Sequence, residues 1–173
     1  MTGLQFDTAQ VKEMYPTHVT NGILKIHSDQ LRERLRDLGA DSYDLILPET
    51  KTLPLVIQPE EELEGIVYGR YVLDETSGKH SVGRGMLVAT DKRVLLIDHK
   101  PMFIKSSEIV YGVVSAIAYS KAGLAGTITL HTRLGNVNLR TFNQRCADGF
   151  MKAVEKHIFR KNPEDYMWRP VPI

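Results

Sequence analysis

The sequence predicts a mainly β protein of the α+β class: a bent, seven-stranded antiparallel barrel that is capped by a C-terminal helix. From Leu63 onward the chain consists of short segments rich in Val, Ile, Tyr and Thr, which are residue types that favour strands. Glycine-containing turns separate these segments at the spacing typical of an antiparallel meander. One apolar stripe at helical spacing follows the last segment and predicts the closing helix.

A helical extension is predicted for residues 1–60. In HSDQLRERLRDLGAD, Ser28 is a candidate N-cap and Gly39 stands where a helix is expected to end. The apolar side chains between them fall on one helical face: Leu31, Leu35 and Leu38. This stripe is too short for a coiled coil, and the prolines that follow it predict short helical turns. We therefore expect the extension to pack on the outside of the barrel.

The strand segments follow in the order LEGIVYGRYVL, MLVAT, RVLLID, MFIKSSEIVY, VVSAIAYS, GTITLHT and NVNLRTF. The stretch DETSGKHSVGRG between the first two predicts a long, turn-rich loop. Between the second and third segments, Asp91, Lys92 and Arg93 form a charged turn. The two basic residues have the chemistry to hold a phosphate, but a tight corner between apolar strands favours polar residues for geometric reasons alone. We interpret them as the corner of a hairpin.

The closing helix is predicted over residues 143–161. Residues 61–161 are expected to form one domain, and residues 162–173 an irregular tail that is rich in proline. Cys146, near the start of the helix, is expected to be a buried and unreactive thiol because its neighbours are apolar. The predicted core includes Ile66, Tyr68, Leu87, Val94, Leu96, Ile117, Ile128, Leu130, Phe150, Val154 and Ile158.

The composition is that of a globular protein, with 42% hydrophobic and 25% charged residues. A single cysteine excludes an internal disulfide and favours a reducing compartment. No segment is apolar over the roughly 18 residues that a membrane span requires, and the N-terminus lacks a signal-peptide pattern. We therefore expect a cytoplasmic protein, with peripheral attachment to a membrane surface as the alternative.

The net charge of +1 hides an asymmetry along the chain. Residues 1–64 carry a net charge of −6, and residues 65–173 carry +7. Two interpretations stay open: the acidic part docks on the basic part, or the basic part attracts anions such as lipid headgroups. A nucleic-acid partner is not expected, because the strands lack the exposed aromatic ladder that stacks on bases.

The order of these elements resembles that of the pleckstrin-homology (PH) fold, in which one C-terminal helix plugs a bent barrel. GMLVATDKRVLLID resembles a hairpin of bacterial PH-like domains, where a strand ending in Leu-x-x-Thr turns through Asp-Lys-Arg and returns as an apolar strand. EIVYGVVSAIAYSKAGLAGTITLHT is similar to a later strand pair of that family. LPETKTLPLVIQPEEELEGIVYGRY resembles the lead-in helix and first strand of its YokE-like type. The similarity extends from about Leu47 to Arg160.

This resemblance implies a non-catalytic interaction module that serves protein–protein contact or self-assembly, since some bacterial members form ring-like oligomers. The alternative is reversible binding of an anionic lipid headgroup or a phosphorylated ligand at a membrane surface. Eukaryotic PH domains often bind phosphoinositides through basic residues around the first hairpin. The corresponding residues here are Arg70, Lys79, His80 and Arg84. His80 replaces one basic position, and the Lys/Arg-x-Arg spacing is absent.

Catalytic and metal sites are not expected. None of the six histidines stands at metal-ligand spacing such as H-x-x-x-H from another His, Cys or carboxylate. No glycine loop opens a helix as a phosphate-binding loop does, and no Ser, His and Asp stand in the context of a nucleophile elbow. We therefore predict no enzymatic activity, no metal and no cofactor. A protein partner or a second copy of the chain is the expected partner.

Overall fold

A computed structural model describes residues 29–161 of the chain. The helices are α1 (residues 29–37), α2 (Pro48–Val56) and α3 (Gln144–Lys161), and short 3-10 turns occupy Asp44–Ile46 and Tyr111–Val113. The strands are β1 (Leu63–Glu75), β2 (His80–Thr90), β3 (Arg93–Lys100), β4 (Phe103–Val110), β5 (Val114–Ala122), β6 (Ala125–Thr132) and β7 (Gly135–Thr141). The predicted Ser28 cap and the predicted tail, residues 162–173, lie outside the described residues.

The seven strands of this region form one antiparallel sheet with β1 at its centre. The strand order is β4-β3-β2-β1-β7-β6-β5, and all neighbouring strands are antiparallel. α3 contacts β1, β2, β5 and β6, which belong to both halves of the sheet. The sheet therefore bends around the helix, and the predicted fold class is confirmed.

The first hairpin is longer than predicted, and the predicted long loop between its strands is wrong. β1 runs to Glu75 and β2 begins at His80, so that only residues 76–79 form the turn. Gly78 in this turn has a φ of +83°, which glycine adopts without steric cost. The stretch looked like a loop because many residues of these strand ends are polar and lie on the solvent side, where strand pairing does not require apolar side chains.

α3 packs on the inner face of the bent sheet. Asn143 caps its N-terminus, since the backbone N–H of Cys146 donates to Asn143 Oδ1 at 3.1 Å. Phe150, in the middle of the helix, is fully buried. Gly65 on β1 faces it so closely that a Cβ on the glycine would lie 2.8 Å from the Phe150 Cα. The helix backbone thus rests directly on the central strand.

The hydrophobic core is continuous between the helical extension and the sheet. The predicted core residues are buried except Tyr68 and Ile117, which are partly buried against the same cluster. Leu35, Leu53 and Ile57 of the extension belong to this cluster as well. Residues on both sides of position 60 therefore share one core, and the division of the chain into domains at residue 61 stays a prediction.

A glycine turn ends α1, and a hydrogen bond joins α2 to the sheet. α1 ends before Gly39, whose φ of +102° suits a glycine after a helix. The backbone N–H of Ala40 donates to the Leu35 carbonyl at 3.0 Å and closes this turn. Farther along, Thr52 Oγ1 lies 2.7 Å from His99 Nδ1. This hydrogen bond links α2 to β3.

The charged corner between β2 and β3 is part of the framework of the fold. The backbone N–H of Arg93 donates to Thr90 Oγ1 at 3.1 Å, and this hydroxyl donates to Glu61 Oε1 at 2.6 Å. The Arg93 guanidinium binds Glu61 through two contacts of 2.9 Å and Glu108 through another of 2.9 Å. Arg93 is therefore occupied within the hairpin corner, whereas Lys92 is exposed.

Candidate anion-binding cleft

Three arginines lie side by side on the outer face of the sheet. Arg70 on β1 is paired in register with Arg84 on β2 and with Arg140 on β7. Residues that are paired in this way have Cβ atoms about 5 Å apart, and all three arginines are exposed. The sheet therefore concentrates three positive charges over three adjacent strands.

None of these arginines forms an ion pair within residues 29–161. Arg93, by contrast, is bound by Glu61 and Glu108. Like charges directly opposite each other destabilise a pair of strands, on a scale of about 0.2–1 kcal/mol. The aligned arginines therefore lower the stability of this part of the sheet, and a bound anion would offset that loss.

Gly69 allows β7 to approach β1 beside the arginines. A Cβ at this position would collide with the Arg140 carbonyl oxygen, so a larger residue would push the two strands apart. The pairing of β1 with β7 begins at Arg70 and Arg140. Beyond Thr141 the chain leaves the sheet to begin α3, and a cleft opens where β7 separates from β1.

The cleft has a volume of about 430 Å³ and is lined partly by aromatic rings. Tyr43 and Tyr68 form an edge-to-face pair, with ring centroids 6.4 Å apart and planes at 70°. Tyr43 is 56% exposed and Phe142 is 73% exposed, so both rings present apolar surface at the cleft. The volume falls in the range of small-molecule pockets, about 300–1,000 Å³.

The wall formed by the loop between α1 and α2 is acidic. Asp44 Oδ2 accepts hydrogen bonds from the Asp41 backbone N–H at 3.1 Å and from Asn143 Nδ2 at 2.9 Å. Asp41 Oδ1 accepts one from the Asp44 backbone N–H at 2.9 Å. Burial raises the pKa of Asp44 and outweighs the hydrogen bonds that lower it. Because Asn143 donates to Asp44, it links this loop to the start of α3.

The residues that the sequence predicts for an anion site fall into two groups. Arg70 and Arg84 face each other, but Lys79 and His80 lie at the hairpin tip, about 13 Å away over four residues of strand. His80 Nδ1 is 2.7 Å from Asp74 Oδ1, so this imidazole has an acidic partner of its own. The structure therefore places the predicted group of four at two positions along the hairpin, and their role in binding stays a prediction. Arg140, which is not among the four, lies in the same row as Arg70 and Arg84.

Residues 57–156 match the family model of the bacterial PH domain. This segment is more than half of the 173-residue chain. The chain belongs to the bacterial PH domain family. PH domains commonly mediate protein or lipid interactions, and the family is generally non-catalytic. The finer assignment to the YokE-like type stays a prediction.

The chain was also compared with solved structures, and three that are similar to it contain PH domains. The Vps36 N-terminal PH domain is 16% identical, with 63% of this chain and 87% of that chain covered and a TM-score of 0.45. A DUF1696 family protein with a pleckstrin-homology domain from Shewanella loihica PV-4 is 17% identical, with coverage of 62% and 91% and a TM-score of 0.43. The DH/PH domains of p115-RhoGEF are 11% identical, with coverage of 85% and 43% and a TM-score of 0.37. No curated protein matches the chain.

Three further ionisable groups of this bacterial PH domain, Cys146, His157 and Glu64, do not line the cleft. Cys146 is buried, as predicted, and burial raises the pKa of its thiol to about 12. His157 Nε2 lies 2.5 Å from Glu64 Oε2, and its ring stacks on Tyr111 with centroids 4.4 Å apart. Across residues 29–161, no helix is long and apolar enough to cross a membrane.

Proposed function

We propose that this domain is a non-catalytic interaction module that binds a phosphate-bearing ligand in the cleft beside Arg70, Arg84 and Arg140. The proposal is supported by one observation above all. Strand register brings three arginines together on adjacent strands, and they have no carboxylate partner among the described residues. A phosphate group is the ligand chemistry that suits such a row.

The guanidinium group suits this task because it stays charged at all physiological pH values and offers paired N–H donors to phosphate oxygens. Such bidentate, charge-assisted hydrogen bonds are roughly twice as strong as neutral ones. Three guanidinium groups on adjacent strands can contact different oxygens of one phosphate or of two linked phosphates. Inorganic pyrophosphate is therefore a suitable first probe.

Arg140→Gln is expected to weaken pyrophosphate binding about tenfold, which corresponds to ~1.4 kcal/mol, because one bidentate contact is lost. Calorimetric titration at physiological ionic strength measures the Kd. Arg133→Gln is the matched control, because it removes the same charge from the exposed turn between β6 and β7; its Kd should equal that of the unsubstituted protein. Equal weakening by both substitutions would contradict a specific cleft.

The same titration separates the cleft from the hairpin tip. Arg84→Gln is expected to weaken binding as much as Arg140→Gln does. Lys79→Gln is expected to change the Kd little, because solvent screens exposed charges that are more than about 10 Å apart. A large effect of Lys79→Gln together with none for Arg140→Gln would move the site to the tip, as the sequence first suggested.

A second candidate function is self-assembly along β5. This strand lies at one edge of the sheet, and its exposed residues before Lys121 are small and uncharged: Ser115, Ala116, Ala118 and Ser120. Edges without charged or proline residues are open to pairing with another strand. Light scattering over a concentration series should then show a mass above that of one chain. A single-chain mass at every concentration would exclude this function.

A further inference from the structure

We infer that the ligand of the arginine cleft carries its phosphate on a hydroxyl-bearing ring and is phosphorylated at one end only, as in a sugar monophosphate. This inference rests on the proposed function and names the class of ligand. It follows from the different chemistry of the two walls of the cleft, one cationic and one acidic.

The sheet wall carries the arginines, and the loop wall carries Asp41 and Asp44. Asp41 is exposed, and its Oδ1 is occupied by the Asp44 backbone N–H at 2.9 Å. Its Oδ2 makes no hydrogen bond to the described residues, and Asp41 is one of the residues that line the cleft. An ionised carboxylate only accepts hydrogen bonds. A ligand group that meets Asp41 must therefore be a donor, and a hydroxyl is the donor that a sugar supplies.

The cleft is larger than a phosphate group. Its volume is about 430 Å³. An inorganic phosphate, with a single phosphorus and its oxygens, would fill a small part of this space. The exposed faces of Tyr43 and Phe142 provide large flat surfaces against which the C–H face of a sugar ring can pack.

The acidic wall also sets an upper limit on the charge of the ligand. A second phosphate at the far end of the sugar would lie near Asp41, and like charges a few ångströms apart repel strongly in a partly desolvated site. The arginines would attract the first phosphate while the carboxylate rejected the second. A monophosphate is therefore expected to bind more tightly than a bisphosphate of the same sugar.

The test compares inorganic phosphate, fructose 6-phosphate and fructose 1,6-bisphosphate by calorimetric titration. The unsubstituted protein is expected to bind fructose 6-phosphate about tenfold more tightly than either of the others, the effect of one hydrogen bond to a charged group. Asp41→Asn keeps an oxygen for the Asp44 N–H and removes only the charge. It should weaken fructose 6-phosphate binding while strengthening the binding of the bisphosphate.

Asp37→Asn is the matched control. Asp37 is an exposed acid on α1 and does not line the cleft, so its substitution should leave all three affinities unchanged. Opposite shifts for the two sugar phosphates cannot come from a loss of folding, because unfolding would weaken both. Thermal unfolding of Asp41→Asn alongside the titrations confirms that the variant is folded.

The possible results separate this inference from the proposed function. Equal affinity for phosphate and fructose 6-phosphate, or tighter binding of the bisphosphate to the unsubstituted protein, overturns the inference and leaves the arginine cleft intact. If no probe binds, or if Arg140→Gln has no effect on any of them, the proposed function fails as well.

A vesicle assay separates a free sugar phosphate from a lipid headgroup. Co-sedimentation uses vesicles of phosphatidylcholine and phosphatidic acid, with fructose 6-phosphate added as competitor. The inference expects either no sedimentation with the vesicles or sedimentation that fructose 6-phosphate abolishes. Sedimentation that depends on Arg140 but resists this competitor overturns the inference in favour of a ligand held in the bilayer.

Discussion

Replacing Arg93 with alanine is expected to lower the free energy of unfolding by about 3–5 kcal/mol, because a buried charge is left without its partner. The Glu61 side chain is fully buried, and that of Arg93 is 18% exposed. Two hydrogen bonds of 2.9 Å join the two side chains. Arg93 Nη2 also donates to the Val56 carbonyl at 3.1 Å, which ties the corner to α2. Urea unfolding at neutral pH measures the change.

Two companion variants make this result specific. Lys92→Ala alters the exposed neighbour at the same corner and should change the free energy of unfolding by less than about 0.5 kcal/mol. Arg93→Met combined with Glu61→Leu removes both charges, and it should recover most of the loss, since apolar replacements of buried ion pairs are often tolerated. An Arg93→Ala variant as stable as Lys92→Ala would show that the ion pair does not hold this corner.

The same ion pair makes stability fall in acid. Burial alone would raise the pKa of Glu61, but hydrogen bonds from Arg93 and Thr90 outweigh it and lower this pKa below its ordinary value of 4.5. A carboxyl group with a lowered pKa stabilises the folded state above its unfolded pKa, and this contribution disappears as the pH falls through the folded pKa. Arg93→Ala should therefore remove part of the acid sensitivity together with the stability.

The hairpin corner shows what sequence can and cannot predict. Its position between two apolar strands was evident, because the strands and the polar turn are adjacent in the chain. The partner of Arg93 was not evident. Glu61 lies in an acidic run that has the composition of a solvated surface, and only the fold brings this one carboxylate beneath the corner. Burial of one member of a charged run leaves no local signal in the sequence.

The candidate site shows the same limit more strongly. The resemblance to PH domains implies Arg70 and Arg84, because they are basic residues around the first hairpin. Arg140 lies 70 positions after Arg70, and its place beside Arg70 depends on the closure of β7 against β1. The same resemblance adds Lys79 and His80 to this group, and a long loop between the strands would allow all four side chains to converge, but the structure has strands up to Glu75 and from His80.

Register explains why the structure separates Lys79 and His80 from the arginines. In paired strands the distance between two residues grows by about 3.3 Å with each position, so the extra length of β1 and β2 carries the hairpin tip away from the arginines.

Phe150→Ala is expected to lower the free energy of unfolding by about 3–5 kcal/mol, the range for truncation of a fully buried phenylalanine. Its ring is fully buried in the core. The cost should fall at the upper end of the range, because the surrounding structure has little room to collapse. A Cβ on Gly65 would already lie 2.8 Å from the Phe150 Cα, so α3 cannot move closer to β1 to fill the cavity. Urea unfolding measures the loss.

Phe159→Ala, on the same helix, is the matched control for this experiment. Phe159 is 53% exposed, and because the stabilisation by an apolar side chain scales with its buried area, its truncation should cost less than half as much.

The arginines lie on the outer face of the sheet while Phe150 packs on the inner face, so folded Phe150→Ala protein should bind pyrophosphate with an unchanged Kd. A similar loss of unfolding free energy for Phe150→Ala and Phe159→Ala would mean that the burial of Phe150 does not hold α3 against the sheet. A weakened Kd in the folded variant would mean that the cleft depends on the packing of α3 against β1.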